Sequence, residues 1–223
     1  MNMPELKAVV FDMDGTILNT EMLYPQVSTE ILRRRGLCLT KELTDAMMGR
    51  PAPKAFQVMI DWHDLVDSIE TLYQESEEIF ADILETSLGL MPGFTELFKS
   101  ILEAGYPIAV CTSARRDTAI DLLGRFNITP ELQFVIGGDD VKHGKPDPEI
   151  YLTAADRLGL VPSEIVVFED SQTGCKAAID AGTYAIAVPG DHSREHGFEG
   201  AQFVADTLHD RRIYERLDLR SPI

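Results

Sequence analysis

Residues 7–11, KAVVF, form a short apolar run rich in β-branched side chains that stops at a polar cluster, the pattern of a buried strand opening into a loop. From residue 21 to about 35 the rhythm changes: Leu23, Val27, Ile31 and Leu32 recur at helical spacing, and Gly36 can supply a left-handed stop. Helical signal continues over residues 42–48 and 53–60, then through Leu65, Ile69, Leu72, Ile79, Phe80 and Ile83, with no strand pattern in the stretch.

After Met91-Pro92-Gly93 the character changes again. Phe94, Leu97, Phe98, Ile101 and Leu102 predict a helix stopped by Gly105, and residues 107–111 predict a strand. The alternation then repeats, with strands at 134–136, 165–168 and 184–188 and helical patterns near 117–126, 148–158 and 173–181. Such a rhythm predicts an α/β fold: a doubly wound, Rossmann-like parallel sheet with helices on both faces. The first strand belongs to that sheet by pattern. The expected organisation is therefore an α/β core of residues 1–17 and 93–223, with residues 18–92 inserted into it as an all-helical domain.

Composition narrows the class. With 44% hydrophobic residues in 223 the chain can build a sizeable core. No apolar run approaches the roughly 20 residues of a membrane helix, and the first residues lack the apolar stretch of a signal peptide, so a soluble, cytoplasmic protein without a membrane partner is expected. Cys38, Cys111 and Cys175 are odd in number and widely spaced, which suggests neither a disulfide framework nor a zinc site. A formal net charge of −17 repels phosphate backbones, so nucleic acid is not an expected partner. A phosphorylated small molecule would be repelled too, and a site for one needs local cations.

Ligands of open parallel sheets bind at the carboxyl ends of the strands, which directs attention to the polar residues there. Asp12-Met13-Asp14-Gly15-Thr16 follows the first strand, Thr112-Ser113 the 107–111 strand, Gly144-Lys145-Pro146 the Gly137-Gly138 turn, and Glu169-Asp170-Ser171 the 165–168 strand. Asp12 and Asp14 are two apart, so on extended backbone their side chains share one side; Gly15 then permits a sharp turn. Carboxylates this close, with Glu169 and Asp170 added, call for a bound cation or a shared proton. All-oxygen ligands favour Mg²⁺, which commonly bridges carboxylates to a substrate phosphate. Lys145 adds a fixed positive charge, and the Thr112 hydroxyl can donate to phosphate oxygens.

DMDGT, TS after a strand, GKPDP and FEDS, in this order and across the whole chain, resemble the four motifs of the haloacid dehalogenase-like hydrolases. A helical insert directly after the first motif resembles the helical-cap subgroup, which includes β-phosphoglucomutases and many sugar-phosphate phosphatases. The resemblance implies that Asp12 attacks phosphorus to give an aspartyl phosphate. Asp14 then protonates the leaving alcohol and later deprotonates the hydrolytic water. It also implies that Thr112 and Lys145 hold the transferring group, that Gly15, Ser113 and Ala114 line the substrate, and that Mg²⁺ is held by Asp12, the Asp14 backbone carbonyl and Asp170 with Glu169 as a helper. Gly49 and Arg50 stand where capped members carry a substrate-specificity loop.

The expected activity is thus Mg²⁺-dependent hydrolysis of a small phosphorylated metabolite, a sugar phosphate being the favoured class. Two alternatives stay open: a β-phosphoglucomutase-type phosphotransferase, and a catalytically silent phosphate-binding or interaction protein. In β-phosphoglucomutases the residue twelve positions after the nucleophile is a histidine coupled to the acid/base aspartate; here it is Tyr24, which favours release of phosphate to water. Intact motifs argue against the silent reading, and Asp14 argues against the superfamily's carbon chemistry.

Other conspicuous residues read more plainly. Gly190 and Gly197 favour a loop over a metal site for His192 and His196. Arg33, Arg34 and Arg35 suit the carboxyl end of a helix, Cys111 reads as a buried small hydrophobe, and Asp147 reads as a turn former. Trp62 and His63 read either as a helix junction or as substrate wall. The sequence assigns no oligomeric state.

Overall fold

The structure, a computed structural model, describes residues 5–48, 50–191 and 193–220. The chain divides into two compact units, Asn19–Gly89 and the pair of segments Met1–Leu18 and Leu90–Ile223.

The Asn19–Gly89 unit is helical. It contains α1 (Tyr24–Arg34), α2 (Lys41–Met47), α3 (Ala52–His63) and α4 (Ile69–Ser87), preceded by a short 3₁₀ turn at Asn19–Met22. Their apolar faces meet in a core of Val27, Ile31, Leu32, Leu43, Phe56, Met59, Leu72 and Ile79. Helix starts are set by side-chain caps: Thr40 accepts from the Leu43 amide and Ser68 from the Thr71 amide, each satisfying an amide the helix leaves orphaned. Gly36, at φ 70°, closes α1. The three arginines that end this helix pair with carboxylates as well as suiting the dipole. Arg33 and Arg34 hold Glu30, while Arg35 grips Asp67 through two nitrogens, Glu75 at 2.7 Å and the Ile31 carbonyl at 2.8 Å. The α3 helix runs past residue 60, so Trp62 and His63 form its last turn and Asp64 closes it at φ 51°. Tyr24 stacks on Phe80 with ring centroids 5.0 Å apart.

The other unit is an α/β sandwich. Strands β1 (Ala8–Phe11), β2 (Ile108–Cys111), β3 (Phe134–Ile136), β4 (Ile165–Glu169), β5 (Tyr184–Ala187) and β6 (Phe203–Val204) form one sheet in the order β3-β2-β1-β4-β5-β6, and every neighbouring pair is parallel. The helices are α5 (Phe94–Glu103), α6 (Arg116–Gly124), α7 (Glu149–Leu158), α8 (Gln172–Asp180) and α9 (Arg211–Arg216). Parallel strands covered on both faces bury both sets of side chains, which is why β1, β2 and β4 read as unbroken apolar runs and are buried throughout. Against α7 and α8 the sheet packs Val10, Ala109, Cys111, Ile136 and Val167. Phe11 stacks on Phe168 at 4.9 Å and meets Phe94 edge-on at 5.5 Å. Burial pushes the Cys111 thiol up to about 12, consistent with a small hydrophobe in the core. β6 and α9 carried no readable pattern, being two and six residues long. Among the described residues no helix is long and apolar enough to cross a membrane.

Candidate active site

The strand order turns back on itself between β1 and β4. The chain leaves β1 for one side of the sheet to make β2 and β3, then returns to its other side to make β4, β5 and β6. At such a switch point the loops leaving adjacent strands diverge and open a crevice at the carboxyl ends. Asp12 follows β1 there, and Glu169 and Asp170 end and follow β4. The register fixes them side by side: Phe11 pairs with Phe168, and the Asp12 amide donates to the Phe168 carbonyl at 2.9 Å.

Asp12 and Asp14 do not lie on an extended strand, contrary to what their spacing led one to expect. β1 ends at Phe11, Gly15 takes φ 73° and donates its amide to the Leu18 carbonyl at 2.8 Å, and Asp14 lies in an isolated bridge with Leu18. A tight loop, rather than the two-residue period of a strand, sets the two carboxylates. It carries Asp14 toward the end of β2, where the Thr112 hydroxyl donates to Asp14 Oδ2 at 3.1 Å. That hydroxyl also accepts from the Ala114 amide at 3.0 Å, so Thr112 is oriented from both sides and fully buried.

Lys145 arrives from the loop before α7, with its side chain only 5% exposed. Its ammonium donates to Asp12 Oδ1 at 2.5 Å, to the Cys111 carbonyl at 3.0 Å and to Glu169 Oε1 at 2.7 Å. Its three hydrogens therefore each have an acceptor. Burial works against the charged form, but the carboxylates of Asp12 and Glu169 outweigh it and hold Lys145 firmly charged. Asp12 moves the other way from a simple ion pair. Burial raises its carboxyl well above the usual range against the pull of Lys145, and Glu169, Asp170 and Asp14 raise it further. The site holds more negative charge than this one ammonium balances.

Carboxylate oxygens of Asp12, Glu169 and Asp170, all buried, lie within 4.8 Å of one another. An all-oxygen donor set, short of positive charge and enclosed, fits a hard divalent cation such as Mg²⁺. Within it Glu169 is already engaged on both oxygens. Oε1 accepts from Lys145 and from the Tyr151 hydroxyl at 2.5 Å, and Oε2 accepts from Ser171 at 3.2 Å. Ser193, buried, donates to the Asp170 carbonyl at 2.6 Å and ties that backbone down.

The loop after β2 is braced from β3. Gly138 donates its amide to the Ala114 carbonyl at 2.8 Å, and Asp139 accepts from the Arg116 amide. A methyl group on Gly137 or Gly138 would run into the Arg116 amide or the Ser113 carbonyl, so this approach requires glycine. Ser113 is exposed and Ala114 half-buried at this loop. The Gly137-Gly138 pair was visible in the sequence as a turn, but its bracing role was not. Ser171 lay in the FEDS motif, whereas Tyr151, Gly174 and Ser193 left no sequence signal that tied them to the site.

Thus Asp12, Asp14, Gly15, Thr112, Ser113, Ala114, Lys145, Glu169 and Asp170 all come from the α/β unit, at the end of β4, on the loops leaving β1, β2 and β4 and on the loop before α7. Arg50 belongs to the helical unit, where it is exposed and its amide donates to Met47. Gly49 and His192 lie outside the described residues. Asp147 Oδ1 accepts from the Glu149 amide, as a turn former does.

The sequence profile of the haloacid dehalogenase-like hydrolases matches residues 9–188. A phosphorylated carbohydrates phosphatase of Thermotoga maritima is 33% identical over 185 residues, covering 81% of this chain and 84% of that protein. The fructose-1-phosphate phosphatase of Escherichia coli is 33% identical over 180 residues, 81% of this chain and 95% of the relative. Among solved structures, a hydrolase of the same family from Deinococcus radiodurans, with bound phosphate and sodium, superposes with a TM-score of 0.82 at 28% identity over 99% of this chain and 100% of its own.

Proposed function

Since the chain belongs to the haloacid dehalogenase-like hydrolases, we propose that it is a phosphatase of small phosphorylated metabolites that works through an aspartyl phosphate on Asp12. Relatives named as phosphatases of phosphorylated carbohydrates and of fructose 1-phosphate support the substrate class, and sugar phosphates head the candidates. The observation that carries the mechanism is the buried Asp12–Lys145–Glu169 array beside an Asp14 held by Thr112.

In this reading a carboxylate oxygen of Asp12 attacks phosphorus and the ester oxygen leaves with a proton from Asp14. Asp14, now ionised, takes a proton from water as that water attacks the aspartyl phosphate, releasing phosphate and restoring both side chains. Lys145 opposes the charge of the phosphoryl oxygens and of Asp12, and Thr112 orients Asp14; for Thr112 to hold the transferring group as well, its one hydrogen would turn from Asp14 to a phosphoryl oxygen. Members of this family generally depend on Mg²⁺. Asp12 and Asp170, with the Asp14 carbonyl, are the residues we propose to hold it, and Glu169 serves first as the anchor of Lys145. When bound, Mg²⁺ supplies positive charge against the phosphoryl oxygens and so offsets the carboxylate excess. Arg50, with Gly49, is proposed to contribute substrate selection.

A screen of phosphorylated sugars, polyols, nucleotides and glycolytic acids, with and without Mg²⁺, tests the proposal by release of inorganic phosphate. β-Glucose 1-phosphate belongs in that screen, supplied with a trace of sugar bisphosphate and followed for glucose 6-phosphate as well. Tyr24, stacked on Phe80 rather than offering an imidazole, favours free phosphate as the product. Isomer forming much faster than phosphate would replace the phosphatase by a mutase.

A further inference from the structure

We propose that Tyr151 is a positioning residue for phosphoryl transfer, acting through Glu169 to fix where the Lys145 ammonium stands against Asp12. The inference rests on the catalytic reading of this site given above and names a residue that reading does not use.

Tyr151 sits in the first turn of α7 and is 1% exposed. Its hydroxyl donates to Glu169 Oε1, the same oxygen that accepts from Lys145. The ammonium also lies 5.2 Å from the centroid of the Tyr151 ring. One side chain thus touches both members of the Glu169–Lys145 pair, the first through its hydroxyl and the second through its π face.

The geometry gives the hydroxyl a specific task. Lys145 is suspended between two carboxylates and a carbonyl, so its position is a balance between Asp12 on one side and Glu169 on the other. A phenylalanine at position 151 would pack equally well but would leave Lys145 as the sole donor to Oε1. The full charge of that oxygen would then draw the ammonium toward Glu169 and away from Asp12. By sharing Oε1, Tyr151 weakens that pull. Ser171 on Oε2 holds the far side of the carboxylate, and Gly174 leaves the room it fills, since a Cβ there would fall inside the Glu169 carboxylate. Burial first, and Glu169 next, push the Tyr151 phenol well above its ordinary value, so the hydroxyl keeps its proton and remains a donor.

The test compares Tyr151→Phe, Glu169→Gln and the double variant with wild type, using p-nitrophenyl phosphate and saturating Mg²⁺. Mg²⁺ binding by calorimetry and folding by circular dichroism are measured alongside. Tyr151→Phe is expected to lower kcat about tenfold or more while KM and the Mg²⁺ Kd stay within about threefold, because neither substrate nor cation meets the hydroxyl. The double variant is expected to be no worse than Glu169→Gln within about twofold, since the tyrosine acts through that carboxylate. p-Aminophenylalanine at position 151 restores an N–H donor on the same ring and should recover most of the lost kcat; it carries the test if Tyr151→Phe does not fold. A Tyr151→Phe enzyme with wild-type kcat, losses that multiply in the double variant, or a folded p-aminophenylalanine enzyme as slow as Tyr151→Phe would each overturn the positioning role alone. A folded wild-type protein that hydrolyses no phosphate ester would remove the catalytic reading and this role with it.

Discussion

The Thr112 hydroxyl donates its one hydrogen to Asp14 Oδ2 at 3.1 Å, which links the residue just after β2 to the proposed acid of the loop after β1. Thr112→Val keeps the shape but removes this hydrogen bond from Asp14 and strips the Ala114 amide of its acceptor. The expected loss in kcat is about 10- to 100-fold, larger for alkyl phosphates than for p-nitrophenyl phosphate, whose leaving group hardly needs a proton. Asp14→Asn should show the same leaving-group dependence more strongly. Rates measured across phosphate esters of rising leaving-group pKa check this; equal losses across the series would remove Asp14 from the acid role.

Asp12→Asn replaces the nucleophile by an amide of the same shape. Turnover should fall at least about a thousandfold while the far-ultraviolet spectrum is unchanged. A folded variant with near-normal activity would sink covalent catalysis at Asp12.

Chelation should abolish turnover and added Mg²⁺ should restore it. Because Asp170 is buried beside Asp12 and Glu169, Asp170→Asn removes one of the close-set carboxylates and should raise the Mg²⁺ concentration for half-maximal activity by more than about tenfold. Calorimetric titration with Mg²⁺ should show the same weakening. An unchanged Mg²⁺ requirement would take Asp170 out of the ligand set.

Gly174 gives a prediction of unusual sign. In the interior of a helix Ala is ordinarily preferred to Gly by up to about 1 kcal/mol. Here the added methyl would occupy the space of the Glu169 carboxylate, so Gly174→Ala should lower Tm and lower kcat together. A variant that melts higher than wild type and keeps its activity would show that Glu169 can leave without cost.

In the helical unit Arg35 holds Asp67 with two hydrogen bonds at 2.8 and 3.0 Å, and this keeps the Asp67 carboxyl below its usual range. A carboxylate whose folded value is depressed contributes stability that is fully present above its unfolded value, about 3.9, and is lost as pH falls through the folded value. Arg35→Met should cost on the order of 2 kcal/mol at neutral pH, roughly 4–8 °C in Tm, and should flatten the part of the acid decline that begins near pH 4. Scanning calorimetry between neutral and acid pH decides it; parallel declines in the two proteins would assign the acid sensitivity elsewhere.

Hydrophobic spacing by itself determines much of this protein. A β-branched run such as 165–168 can be satisfied only inside a sheet covered on both faces, and helical spacing such as Val27, Ile31 and Leu32 only by a helix with one buried stripe, so the βα alternation and the helical insert were written locally. The polar residues at strand ends were legible for the same reason, because the fold class dictates where ligands bind. The tertiary structure alone decided how those residues meet. Lys145 and Asp12 are 133 positions apart, and nothing local to either shows that one ammonium is shared among Asp12, Glu169 and the Cys111 carbonyl. Tyr151 reads in the sequence as one more apolar position of α7; only the packing of that helix against the sheet turns its hydroxyl onto Glu169. The loop after β1 is the same lesson at short range: the sequence offered two aspartates on a strand, but the strand ends at Phe11 and the backbone hydrogen bonds to Leu18 place Asp14 instead. Periodicity records which side of an element is buried, whereas hydrogen bonds between distant elements depend on register and packing that no local pattern encodes.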